Sequence, residues 1–113
     1  MKNVAIIIST SNKEKAVAAA TLAGVSRKNK FFGDVKLIFF GPSERFIADN
    51  DETIMKLIND YNSAGDSKAI ACKLVATNLN LLDRLDKVSS VKLDMVGPII
   101  KDLAEKDYEF LTF

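Results

Sequence analysis

The run Val4–Ile8, VAIII, decides the fold. It is continuously apolar, four of its five residues are β-branched, and it shows no polar alternation. A strand covered on both faces reads this way, whereas a strand with one wet face alternates. Helices must therefore pack on both sides of the sheet that contains it. The next residues agree: Ser9 and Thr10 leave the run, and Ser11 stands three residues before Glu14, the spacing of a capping box. The sequence predicts a helix from Asn12 to Arg27. Its Ala16, Ala19, Ala20 and Ala23 form a small-residue face able to lie close to a sheet.

The same alternation continues along the chain. Val35–Phe40, VKLIFF, is a second strand, stopped by Gly41 and Pro42. Ser43 is positioned to cap a short turn with Phe46 and Ile47. The next helix carries a stripe at Ile54, Leu57, Ile58 and Tyr61. Lys68–Cys72 is a third strand that turns helical at once over 73–77. Asn80 suits a left-handed helix end, and a short helix succeeds it over 81–88. Val91–Val96 is a fourth strand. Pro98 suits a first helical position, with a helix to about Lys106. Tyr108–Phe113, YEFLTF, closes as a fifth strand, at least over 108–112. The expected architecture is one α/β domain over 1–113: a three-layer α/β/α sandwich with a mainly parallel five-stranded sheet.

Composition removes whole classes of chemistry. The 113 residues include no His, which excludes imidazole bases, Ser-His-Asp triads and His metal ligands. One Cys excludes an internal disulfide and a four-cysteine zinc site. Sixteen Lys and Arg against 15 Asp and Glu leave a net charge of +1, no footprint for a nucleic acid. No glycine-rich dinucleotide fingerprint or Walker motif appears, and the acids form no evident pair. No metal and no cofactor are expected. No run spans a membrane, and a lone thiol fits a reducing compartment, so a cytoplasmic protein is expected.

Candidate functional residues gather where parallel sheets place their sites, beyond the carboxyl ends of the strands. Cys72 ends a strand and precedes a helix, where amide groups and the helix dipole favour a thiolate. Lys73 adds a neighbouring positive charge. A buried thiol that only packs reads the same way in sequence. Ser9, Thr10 and Ser11 make a hydroxyl cluster before a helix, suited to an anion or to ordinary capping. Gly41 permits a positive φ or a close backbone approach, or simply marks a turn.

Four stretches also resemble one family. VKLIFFGPSERFIADND looks like its second strand, glycine turn and acidic helix start. IACKLVATNL, with Cys72 closing the strand, is similar to the stretch bearing its cysteine. SVKLDMVGP looks like its fourth strand, and YEFLTF is similar to its closing strand. This is the DsrE/DsrF-like family of small sulfur-relay proteins, with the YchN-like fold. Asn80 stands where the family commonly has Gly.

The resemblance implies strand order 2-1-3-4-5 and assembly as a trimer or hexamer. It further implies sulfane sulfur carried as a persulfide on Cys72, between donor and acceptor proteins, with Ser9, Thr10, Ser11, Gly41 and Lys73 around it. Two other functions remain open. One is a non-catalytic oligomeric module binding a small ligand or a protein, with Cys72 buried. The other is a thiol peroxidase, which would need a resolving thiol that this chain lacks. Phe31, Phe32 and Phe46, on connecting segments, read as exposed apolar surface for assembly.

Overall fold

The computed structural model describes residues 1–113. β1 (Val4–Ile8), β2 (Val35–Phe39), β3 (Ala69–Cys72), β4 (Val91–Asp94) and β5 (Glu109–Thr112) form one sheet, every pairing parallel. The helices are α1 (Lys13–Lys28), α2 (Glu44–Ala48), α3 (Glu52–Ser63), α4 (Lys73–Asn78), α5 (Leu82–Leu85) and α6 (Val96–Glu105).

The strand order is β4-β3-β2-β1-β5, not the expected 2-1-3-4-5. β3 pairs with β2 instead of β1, and β5 pairs with β1 instead of β4. Burial accounts for the difference. β2 is buried at four of its five positions and needs a neighbour on each side, which an edge cannot supply. β4 carries exposed Lys92 and half-buried Asp94, and β5 is mostly exposed. Charged and short strands of that kind belong at sheet edges.

Period-two alternation then sorts the side chains into two layers. Val4, Ile6 and Ile8 of β1 join Val35, Leu37 and Phe39 of β2 in the larger core, with buried residues of α1 to α5. The four alanines of α1 are fully buried there, and small side chains let the helix lie close to the sheet. The α3 stripe packs beside them through Ile54, Ile58 and Tyr61, with Leu57 partly buried. On the other face Ala5, Ile7, Ile38 and Cys72 meet Val96 and Leu103 of α6. Six helices are thus divided five to one, and the second face has the thinner cover.

The local punctuation differs in places from the sequence reading. Asn12, not Ser11, caps α1, its side chain accepting from Lys15 N at 3.0 Å. Ser43 does not cap α2; its hydroxyl donates to the Ile8 carbonyl and ties the end of β1 to the start of α2. β4 stops at Asp94 and α6 starts at Val96, so Pro98 sits within the first turn, where its missing N–H leaves no bond unmade. Asn80 does adopt the left-handed conformation, with φ 58°. Of the three phenylalanines read as exposed, only Phe31 is; Phe32 and Phe46 pack against the larger core.

Two polar fixtures hold the opposite, amino-terminal end of the sheet. Arg27 lies over the Tyr61 ring at 4.2 Å and donates to the carbonyls of Tyr61 and Ser67. The Tyr108 hydroxyl donates to Asp34 at 2.5 Å, joining the approach to β5 to the approach to β2. That hydroxyl is pushed up to about 12 by burial and the facing Asp34 carboxylate.

Candidate functional site

The carboxyl ends of β1, β2 and β3 bring Ser9, Gly41 and Cys72 to one edge of the sheet, as the strand assignments require. Cys72 is the last residue of β3 and the N-cap of α4. Its side chain turns to the α6 face, where it joins the smaller core with Ile38 and Val96, and it is 3 % exposed. Lys73, the next residue, is exposed and extends to solvent. The thiol is therefore at the expected place on the fold, under a thin cover instead of in an open crevice.

Around the hydroxyl cluster the backbone of Ser9 and Thr10 and the Thr10 hydroxyl are engaged within the chain. The backbone N–H groups of Ser9 and Thr10 both donate to the Phe113 carbonyl oxygen, at 2.7 and 3.2 Å. The Ser9 carbonyl accepts from Ser43 N, and the Thr10 hydroxyl accepts from Asn12 N. Ser11 is exposed and does not cap the helix. The amides of Ser9 and Thr10 are spent on pinning Phe113 beside β1.

Gly41 meets both of its expectations. Its φ is +112°, and a Cβ there would stand 2.8 Å from the Ser9 hydroxyl oxygen. Only glycine fits that backbone conformation and that spacing. The turn it makes aims its N–H back into the molecule, where it donates to Glu44 Oε2 at 3.2 Å.

Glu44 is the site residue that the sequence reading missed. It is fully buried at the start of α2. Its carboxyl accepts a hydrogen bond from Gly41 N at 3.2 Å, and no cation pairs with it. Oε1 has no hydrogen-bond partner. Burial pushes the carboxyl up to about 7, against the Gly41 N–H that holds it down. The available signal was helical spacing: Ile47 and Ala48, three and four residues on, face inward, so Glu44 shares their side of the turn.

Three large apolar side chains are exposed just past the ends of these strands. Phe40 succeeds β2, Leu74 lies two residues past the end of β3 and Met95 succeeds β4, and all three are exposed although their strands are adjacent. On the α6 face a cleft of about 400 Å³ is lined by Ile70, Asp94, Met95 and Ile99 among others. No group of three or more His, Cys, Asp and Glu is arranged to hold a metal ion. No helix is long and apolar enough to cross a membrane.

No family model matches the chain, and no curated protein matches it either. Among solved structures, it is similar to the conserved protein of unknown function BT1422 from Bacteroides thetaiotaomicron. The TM-score is 0.83 at 18 % identity, over 99 % of this chain and 95 % of that one. This shared architecture, an α/β domain with a mainly parallel five-stranded sheet flanked by helices, is what the comparisons establish for the chain.

Proposed function

We propose that this is a DsrE/DsrF-like sulfur-relay protein that carries sulfane sulfur as a persulfide on Cys72. The observation that carries the reading is the placement of the only thiol at a strand-to-helix junction, on the carboxyl edge of a parallel sheet. Strand ends are where such sheets do chemistry. The chain offers no other Cys and no His as a rival nucleophile. One thiol suffices, because the sulfur moves between proteins. The four sequence stretches that resemble the family support the same reading. The carried sulfur would be held near Gly41 and Lys73, with Ser9, Thr10 and Ser11 at the rim.

The chemistry is an exchange without net oxidation. The Cys72 thiolate attacks the outer sulfur of a donor persulfide, a new sulfur–sulfur bond forms, and the donor's sulfur–sulfur bond breaks to leave its thiolate. Cyanide tests the product, since it removes the outer sulfur as thiocyanate and returns the thiol. After incubation with a low-molecular-weight persulfide and desalting, the wild type should release about one thiocyanate per chain. Cys72→Ser should release none while keeping its fold by circular dichroism. A wild type that releases none removes the carrier function.

Assembly belongs to the same proposal. A trimer or a dimer of trimers would cover Phe40, Leu74 and Met95, which lie on the same edge of the sheet as the thiol. Apolar side chains grouped at one edge are the kind of surface that partner subunits bury. Light scattering at micromolar concentration should give three or six times 12.4 kDa. Leu74→Asp combined with Met95→Asp should shift it toward the monomer. A wild type that scatters as a clean monomer contradicts the assembly.

A second reading, an oligomeric binding module with Cys72 as a packing residue, is favoured by one observation, the 3 % exposure of that residue.

A further inference from the structure

We propose that the open edge of β5 pairs with β5 of a second copy of this chain, antiparallel about a two-fold axis at Leu111, so that two sheets join as one. The pairing rests on neither the carrier function nor the contact proposed at the carboxyl edge. β5 lies at one edge of the sheet, with β1 as its only neighbouring strand. Glu109 N donates to the Asn3 carbonyl and Phe113 N to the Ile7 carbonyl, while the Phe113 carbonyl accepts from Ser9 N. Successive residues of a strand turn their N–H and C=O groups to opposite sides, so the ladder to β1 uses Glu109, Leu111 and Phe113. The N–H and C=O groups of Phe110 and Thr112 point the other way, at the open edge.

The two edges of the sheet differ in how they are guarded. β4, at the other edge, carries Lys92 and Asp94, charges of the kind that keep an edge from pairing. β5 reads EFLT, with no Lys and no Pro, and its Leu111 is 37 % exposed. The one charged side chain of the strand, Glu109, is engaged by Lys2 at 3.0 Å.

The free groups of β5 are complementary to a copy of themselves. About a two-fold axis at Leu111, Phe110 of one chain stands opposite Thr112 of the other, and each such pair exchanges both N–H···O bonds. Leu111 then faces its own copy in the closer, non-hydrogen-bonded position, where the two apolar side chains cover each other. Glu109 falls opposite Phe113 instead of its own copy. An axis at Phe110 would match Thr112 with Tyr108, whose N–H is spent on the Leu103 carbonyl. A two-fold contact is also the pairing that a dimer of trimers requires.

The test is disulfide capture with the native thiol removed. Leu111→Cys in the Cys72→Ser chain sets two thiols across the axis, where the Cα atoms of facing residues are about 4.5 Å apart and within disulfide reach. Glu109→Cys in the same chain is the control, its two copies about 13 Å apart along the paired strands. With oxidised glutathione as the oxidant and micromolar protein, Leu111→Cys should give a species of twice 12.4 kDa without reductant. It should form at least about tenfold faster than with Glu109→Cys. Equal rates, or no capture at Leu111, would overturn the pairing. In the otherwise native chain, Leu111→Lys opposes two like charges and should halve the mass seen by light scattering. An unchanged mass would overturn the pairing as well. If Leu111→Lys does not fold, Thr112→Pro takes its place, since it removes an outward N–H and leaves the ladder to β1 intact. A dimer captured at Leu111 would uphold the pairing and remove the trimer. A trimer with no capture would do the reverse.

Discussion

Glu44→Gln is expected to stabilise the protein by roughly 3 kcal/mol at pH 8 and to change its stability little at pH 4. The carboxyl titrates at about 7 in the folded chain against a reference of 4.5. Below pH 4.5 it is neutral in both states and costs nothing. Between the two values the folded state holds the proton that the unfolded state has released, so stability falls as pH rises. Above 7 the folded chain carries a buried, unpaired charge and the full penalty applies. Glutamine keeps a carbonyl oxygen for the N–H of Gly41 and removes the charge. Other carboxylates titrate in the acid range, so the informative quantity is the difference between the two proteins. Urea unfolding at half-unit steps from pH 4 to 8.5 should show the curves diverging between 4.5 and 7 and running parallel above. Curves parallel throughout would mean that Glu44 ionises in the fold as it does in the unfolded chain.

Tyr61→Ala is the substitution expected to cost most at the other end of the molecule. The ring is fully buried in the larger core and its hydroxyl donates to the Val35 carbonyl at 2.7 Å. Arg27 stacks on the ring and fastens the chain at Ser67 before β3. Truncation removes a large side chain from α3, leaves the first carbonyl of β2 without that donor and takes the platform from Arg27. A loss of about 3–5 kcal/mol is expected from the lost burial and the cavity together. Tyr61→Phe keeps the ring and should lose only about 1–2 kcal/mol, the cost of the unmet carbonyl. Equal losses for the two variants by denaturant midpoint would assign the stability to the hydrogen bond instead of the packing.

Much of this architecture was legible because it depends on local periodicity. VAIII could be only a strand covered on both faces, and the alanines of α1 lie on the predicted face because their spacing matches the helical turn. Cys72 was placed at the β3–α4 junction by adjacency of an apolar run to a helical one. Strand order is different in kind. Which strand lies beside β1 is settled by long-range pairing, and periodicity within a run does not encode its partner. The clue was nevertheless present: VKLIFF is too apolar for an edge, while VKLD is charged enough for one.

The polar details at the site were the least legible. Ser9 and Thr10 look free in sequence, because the carbonyl that occupies their amides belongs to Phe113, at the far end of the chain. Glu44 looks like a first-turn acid of the usual solvent-facing kind. Its burial is set by the positive φ of Gly41 and by β3 closing over it, neither of which shows in the local pattern.

Whether Cys72 accepts and holds sulfane sulfur is decided by intact-protein mass spectrometry. The folded protein in native buffer is incubated with a low-molecular-weight persulfide and measured before and after mild reduction. A sulfur-carrying Cys72 gives a gain of about 32 Da on the wild type, lost on reduction and absent from Cys72→Ser. An unchanged mass, with a thiol that resists alkylation until the chain is denatured, would contradict it and leave Cys72 as a packing residue of the α6 face.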